Sequence, residues 1–286
     1  MTLTTARDMK GNVLTIPMDV QAGWEKWVML SSDHHLDNIH ANRKLLTEHL
    51  DEAVRRDADI FFFGDTFCAM QGKYDPRASM DDIRPEDVGQ NYLDLIAQHA
   101  VDFYAPYAKN IALISPGNHE SSVRRRNGTD LVSNLIFGLN RAGGTIAHGG
   151  YGGWVRFMAT INKTRRKAIK MKYFHGAGGG GPVTRGTIQT NRMAVFLPDA
   201  DIVVSGHTHD SWEVHIARER LSERGKIYRD IQYHIRTSTF KDEYNDGSGG
   251  WHVETGKPPK PLGMCWLRFY KHNDDGVRFE FTSNVS

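Results

Sequence analysis

The sequence predicts an α/β fold whose functional groups collect at the ends of buried strands. Three observations predict it. Short apolar runs stopped by Gly, Ser or Asp read as buried strands. Stretches with a helical apolar stripe separate the early runs, an alternation that implies a largely parallel sheet. Five of the runs end in a short cluster containing His, Asp or Asn. With 286 residues, the chain can hold one large α/β domain or two small ones. No internal repeat or low-complexity linker divides it, so a single domain over 1–286 is expected.

Residues 1–24 are polar and weakly patterned and read as a short N-terminal arm. Trp27-Val28-Met29-Leu30 reads as a strand that ends at Ser31-Ser32-Asp33. Residues 39–56 carry Leu45, Leu46, Leu50 and Val54 on one helical stripe. Residues 59–63 form a second strand, stopped by Gly64-Asp65. Residues 67–87 are a polar connection containing Pro76 and Pro85, and a long helix is expected over 88–108. A third strand at 110–114 runs into Ser115-Pro116-Gly117-Asn118-His119-Glu120. The pattern predicts a helix at 129–141, closed by Gly143-Gly144. Strands at 153–161 and 168–174 follow, joined by a basic turn at 162–167. The second of these ends at His175 and a glycine-rich loop, 176–181. A helix near 187–196 leads to the strand 201–204, which ends at Ser205-Gly206-His207-Thr208-His209. Residues 210–286 are β-rich, with strands at 212–218, 227–239, 265–270 and 277–282. Asp274-Asp275-Gly276 is a hairpin signal between the last two.

Bulk composition excludes little but sets the frame. Lys and Arg exceed Asp and Glu by 36 − 34 = 2, so no global charge marks a nucleic-acid binder. The two cysteines, Cys68 and Cys265, fit a reducing compartment. No run approaches the ~18 apolar residues of a membrane span, and residues 1–20 lack a signal-peptide pattern. A cytoplasmic location with no membrane contact is expected. Fourteen histidines, several beside Asp, Asn or Gly, direct attention to metal chemistry.

The five clusters are Asp33-His34-His35, Gly64-Asp65, Gly117-Asn118-His119-Glu120, His175, and Gly206-His207-Thr208-His209. In open α/β sheets, sites form outside the carboxyl ends of strands. If the backbone is extended there, residues i and i+2 share a side. Asp33 with His35, and His207 with His209, could then each grip one ion, with His34 turned away. Imidazole, carboxylate and amide donors without thiolate suit Mn²⁺, Fe or Zn²⁺ better than Ca²⁺. A carboxylate can bridge two ions about 3.5–4 Å apart.

The ordered set D-x-H, G-D, G-N-H-E, H, G-H-x-H resembles the calcineurin-like metallophosphoesterase superfamily, from Asp33 to His209. The resemblance implies a four-layer α/β/β/α sandwich of two mixed sheets flanked by helices, with the C-terminal strands completing the second sheet. It implies two divalent ions, Mn²⁺ first, with Fe, Zn²⁺ or Ni²⁺ as alternatives. Asp33, His35 and His209 would hold one ion, Asn118, His175 and His207 the other, with Asp65 bridging. His119 would face the phosphate as general acid or charge stabiliser, and Glu120 would orient it. A hydroxide shared by the ions would attack phosphorus in line.

The substrate class is read from details. The segments Gly64-Asp65-Thr66-Phe67-Cys68 and Ser115-Pro116-Gly117 lack the arginines of the protein-phosphatase branch. Ser32-Asp33-His34-His35-Leu36 is similar to the form seen in phosphodiesterases and repair nucleases, and the layout is similar to stand-alone phage and bacterial members. A phosphodiesterase acting on DNA, RNA or nucleotides is expected. A phosphomonoesterase of small molecules and a non-catalytic scaffold are the alternatives. Arg124, Arg125 and Arg126 follow Glu120 closely and are candidates for phosphate-backbone contact, or a plain solvated loop. The 163–167 run sits at the far end of its strand, roughly 20 Å from His175, and reads as a solvated turn. Residues 67–87 and 241–261 are expected to wall the groove, with Tyr74, Arg77, Arg185 and His252 as candidate contacts. Cys68 stands where relatives carry Asp or Tyr, and reads as a small buried side chain.

Overall fold

The computed structural model describes residues 7–69, 82–179, 181, 183–244, 247–248, 251–273 and 276–286. Tyr74, Arg77 and the Asp274-Asp275 turn lie outside the described residues. In chain order the elements are β1 (Asp8–Lys10), β2 (Val13–Val20), β3 (Glu25–Ser31), α1 (Arg43–Arg55), β4 (Asp59–Phe63), α2 (Tyr92–Tyr104) and β5 (Ile111–Ser115). Then come α3 (Asn118–Asn127), α4 (Leu131–Arg141), β6 (Ala147–His148), β7 (Gly152–Ile161), β8 (Arg165–Phe174), α5 (Thr187–Phe196) and β9 (Ile202–Ser205). The last are β10 (Trp212–Leu221), β11 (Ile227–Arg236), α6 (Trp251–Glu254), β12 (Gly263–His272) and β13 (Gly276–Val285).

Two mixed sheets face each other. One has the order β1-β2-β7-β8-β9-β11-β10, the other β13-β12-β3-β4-β5-β6. The strands β3, β4 and β5 run parallel, as do β8, β9 and β11. The period of two sorts their side chains. Phe61 and Phe63 of β4 enter the core between the sheets, while Ile60 and Phe62 face the helices α1, α2 and α4. On the outer face of the other sheet, Met193 and Leu197, from α5 and its end, pack on Ala200 and Val203. The result is the four-layer α/β/β/α sandwich. Helix starts follow their caps: Asn42 Oδ1 accepts from Leu45 N at 3.0 Å, and Asp130 Oδ1 from Ser133 N at 3.0 Å. Both helices therefore begin later than the apolar periodicity alone places them.

Three sequence expectations are corrected. Most of the 1–24 segment is not an arm. β2 pairs in parallel with β7, and Leu14, Ile16, Met18 and Val20 are buried in the inter-sheet core. The signal was strict alternation of these four with Thr15, Pro17 and Asp19, diluted by the polar ends around it. The C-terminal strands do not all belong to the second sheet. β10 and β11 do, but β12 pairs antiparallel with β3, Leu30 opposite Cys265, and brings β13 with it. Finally, Asn118 starts a helix, α3, which apolar periodicity could not reveal because its residues are mostly polar.

An interior β2 has a measurable consequence. Ile16→Ala should cost about 2–5 kcal/mol in urea unfolding, the usual loss for a buried Ile. A change within about ±0.5 kcal/mol, typical of surface sites, would contradict its burial.

Candidate metal centre

Every cluster sits where its strand ends. β3, β4, β5, β8 and β9 deliver Asp33, Asp65, Asn118, His175 and His207 in turn. The local backbone is not extended, which corrects the expected i, i+2 geometry. Asp33 (φ 56°), His35 (47°), Asp65 (52°), His207 (77°) and His209 (57°) all adopt left-handed backbone. Such conformations are costly for non-glycine residues and persist only where the surroundings fix them. Here the loops lock one another. Asp33 N donates to Gly64 O at 3.0 Å, His35 N to Asp65 O at 3.0 Å, and His207 N to Asp33 Oδ2 at 2.9 Å. Thr239 Oγ1 donates to Asp33 O at 2.8 Å. Glycines permit the close approach: a Cβ at Gly117 would stand 2.1 Å from Asp65 Oδ1, and one at Gly206 2.6 Å from Asp33 Oδ2.

The structure brings the predicted residues together in two groups. In the first, His35 Nε2 and His209 Nε2 are 3.2 Å apart, and Asp33 Oδ1 lies 3.4 Å from His209 Nε2 and 3.9 Å from His35 Nε2. In the second, Asn118 Oδ1 lies 3.1 Å from His175 Nε2 and 2.8 Å from His207 Nδ1, and Asp65 Oδ2 is 3.1 Å from His175 Nε2. The charge of Asp65 also acts on His35, across the first group.

These donors fit divalent cations. Asp33 Oδ1 is buried with no hydrogen-bond partner. Four ligands at ~2.0–2.1 Å from one ion are about 3.3 Å from each other, the scale of the separations above. His175 Nδ1 lies 2.7 Å from the Phe63 carbonyl and must donate to it, which leaves Nε2 as a lone pair toward the second group. The electrostatics call for positive charge. Burial disfavours a charged His175, yet Asp65 and Asp33 pull its pKa up to about 9. Burial would raise the Asp65 carboxyl, but His175 and His119 hold it well below the ordinary range. Burial and the neighbouring imidazoles drive His35 well down.

The sequence profile of the calcineurin-like phosphoesterase family matches residues 26–211, just under two thirds of the chain and every residue in both groups. The chain belongs to that family. No curated protein matches the chain. Solved structures that match include GAP50, the anchor in the inner membrane complex of Plasmodium, at 12% identity. It has a TM-score of 0.42, over 91% of this chain and 84% of that one. Vacuolar protein sorting 29 from Cryptosporidium parvum matches at 13% identity and TM-score 0.39, over 92% of this chain and 100% of that one. A conserved protein of Streptococcus pneumoniae, described as a predicted phosphoesterase, matches at 9% identity and TM-score 0.32. It covers 91% of this chain and 99% of that chain. Membership makes the chain a metallophosphoesterase-type hydrolase with divalent metal chemistry. Among the described residues no helix is long and apolar enough to cross a membrane.

The remaining predicted residues of this phosphoesterase fall differently. His119 Nδ1 lies 2.5 Å from the Cys68 carbonyl, and its Nε2 3.8 Å from Asp65 Oδ2. Glu120 was expected to orient His119. Its carboxylate instead accepts backbone N–H groups: Gly117 at 2.8 Å, Phe67 at 2.9 Å and Asp65 at 3.2 Å. It therefore ties the start of α3 to the Asp65 loop. Burial and the Asp65 charge push its pKa up to about 8, against the pull of those donors. Arg124, Arg125 and Arg126 occupy the exposed last turn of α3, with Arg124 Nη1 3.9 Å from Asp130. The Arg125 charge reaches the Tyr151 phenol. The basic 163–167 run caps the β7–β8 hairpin, at the other end of β8 from His175.

Several residues escaped the sequence reading. Asp37 accepts from Cys68 N at 2.6 Å, Ala69 N at 2.7 Å and Tyr92 OH at 2.8 Å, so it shapes the loop that carries the Cys68 carbonyl. Glu243 stands against His209 beside His252, already a candidate contact from the sequence, and Lys241 pairs with Glu243. Lys241 and Glu243 lie far from the motifs in sequence, so no local pattern could flag them. Cys68 is buried and accepts from Asn38 Nδ2 at 3.3 Å, and burial pushes its thiol up to about 12. His34 turns away as expected, bonded to Tyr104 OH at 2.8 Å and Ser31 Oγ at 3.1 Å.

Burial lowers the His34 pKa to about 3. An unfolded His titrates near 6.5, so the unfolded state binds the extra proton between those values. The stability contribution is present above pH ~6.5 and is lost as pH falls toward 3, by up to ~1.4 kcal/mol per unit. The metal-free chain should show this acid slope in urea unfolding, and His34→Gln should flatten it. An unchanged slope would contradict a neutral buried His34.

Proposed function

We propose that the chain is a dinuclear phosphodiesterase that acts on nucleic acid or nucleotides, with Mn²⁺ as its first-choice metal. The carrying observation is the pair of converging donor groups, each combining carboxylate with imidazole, beside a histidine anchored through its other nitrogen. Asp33, His35 and His209 would hold one ion, and Asn118, His175 and His207 the other. Asp65, whose carboxylate meets one group and whose charge reaches the other, would serve both. When bound, such ions supply Lewis acidity and neutralise charge on the phosphoryl oxygens.

The chain's own residues do the rest. The Cys68 carbonyl fixes the His119 ring and sets the proton on Nδ1 in the neutral form. Nε2 is then the nitrogen that faces substrate. Protonated there, it gives its proton to the leaving alkoxide. Glu120 holds the backbone of both the Asp65 loop and the α3 start, so His119 and Asp65 move as one unit. Arg124, Arg125 and Arg126, exposed on α3 within about 10 Å of His119 along the helix, would touch flanking phosphates.

The diester preference rests on sequence. The G-D and G-N-H-E segments lack the arginines that grip a terminal phosphate dianion. The test is turnover of bis-p-nitrophenyl phosphate, p-nitrophenyl phosphate, single-stranded DNA and a cyclic nucleotide side by side with added Mn²⁺. The diesters should turn over faster than the monoester. A monoester preference would favour the phosphomonoesterase reading. No turnover and no bound metal would favour a scaffold.

A further inference from the structure

Arg236, the last residue of β11, is 1% exposed. Its Nη1 donates to the Gly206 carbonyl. Its Nε and Nη2 are buried and meet no acceptor among the described residues. The face of Trp212 lies 5.1 Å from its Cζ. The charges of Asp33 and Asp210 reach it, but neither accepts these two N–H groups, and Asp210 is held by Lys260 Nζ at 2.8 Å. A buried cation with idle donors is costly unless something outside the polypeptide accepts from them.

The idle donors point at a second feature. Arg236 Nη2 lies 3.3 Å from where a Cβ would stand on Gly186. Gly186 is the N-cap of the ten-residue α5, and no side chain caps that end. The same point is 3.9 Å from Thr208 Cγ2, and Thr208 Oγ1 is itself buried without a partner. Thr190, four residues on and hence on the same helical face, has a second buried, unpartnered hydroxyl. A guanidinium fork, hydroxyl donors and a helix N-terminus are together the recognised means of holding a phosphate-type oxyanion.

We propose that Arg236, Thr208 and the N-terminus of α5 form a phosphate-binding site, separate from the two metal-ligand groups. It lies directly behind them. Nη1 is 3.4 Å from the Cβ position of Gly176, which follows His175, and its acceptor Gly206 precedes His207. The ligand is a phosphate group, either free inorganic phosphate or a terminal phosphate on the substrate. The second source rests on the phosphodiesterase reading above; the first does not.

The test uses the full chain freed of metal with a chelator, so that the metal groups cannot retain the anion. Titration with inorganic phosphate by calorimetry should show one bound equivalent, with a phosphate-dependent rise in Tm. Arg236→Met should weaken binding about tenfold or more, the value of a charge-assisted bond. Arg236→Lys, which keeps the charge but loses the fork, and Thr208→Val should each weaken it severalfold, and they carry the test if the Met variant does not fold. Absence of phosphate binding at millimolar concentration, or equal binding by wild type and variants, overturns the proposal and leaves water as the partner of the guanidinium. To separate the sources, KM of the Mn²⁺-loaded enzyme is compared for a thymidine dinucleotide with and without a 5′-phosphate. If the substrate phosphate is the ligand, the 5′-phosphate lowers KM and Arg236→Met removes that difference. If free phosphate is the ligand, the ratio of the two KM values is the same in both proteins. Failure of both dinucleotides to turn over, with phosphate still bound, would remove the phosphodiesterase reading alone.

Discussion

Asp65→Ala should strip the protein of its capacity for two ions and lower turnover by about a thousandfold or more. The size follows from a two-ion clamp worth several kcal/mol of transition-state charge stabilisation, at about 1.4 kcal/mol per decade. Asp65 is buried, its Oδ2 meets His175 in the second donor group, and its charge bears on His35 in the first. Its Oδ1 also accepts from His119 N at 3.0 Å, so alanine removes that acceptor as well. Asp65→Asn keeps the side chain's shape and an acceptor but not the charge. It should therefore retain more stability than alanine while losing metal. Metal content and rate, measured together on both variants, check this. Full metal occupancy in Asp65→Ala would contradict the shared role.

His119→Ala should behave in the opposite way, keeping both ions while turnover falls about 10²–10⁴-fold, the usual contribution of a positioned acid. The Cys68 carbonyl holds the His119 ring, whose Nε2 lies 3.8 Å from Asp65 Oδ2. If Nε2 protonates the leaving oxygen, the loss should depend on the leaving group. A nucleotide alkoxide needs the proton, whereas p-nitrophenolate leaves without it. The variant should lose far more activity on DNA than on bis-p-nitrophenyl phosphate. Equal losses on both substrates, or metal loss matching that of Asp65→Ala, would sink the division of roles.

How much of this was legible beforehand depends on the range over which each signal acts. The strands β3, β4, β5 and β9 carry continuous apolar runs, β8 alternates apolar residues with lysines, and the metal-type residues follow each strand end. Strand and cluster were thus readable together. β2 was missed although its alternation is strict, because its eight residues sit between polar stretches. The left-handed backbone at Asp33, His35, Asp65, His207 and His209 was not readable at all. It is imposed by bonds between loops that meet only in the folded chain, such as His207 N to Asp33 Oδ2. Glu120 was read by position and given the wrong partner, since adjacency to His119 in sequence says nothing of where its carboxylate turns. Asp37, Glu243 and Arg236 matter through contacts distant in sequence. Arg236 stands out only through its idle donors in the interior.

The most direct measurement is the metal content of the wild-type chain after chelation and reloading with Mn²⁺. The two donor groups predict two ions per chain, with activity that returns in step with the second. One ion per chain, or full activity in the presence of the chelator, would contradict a dinuclear centre.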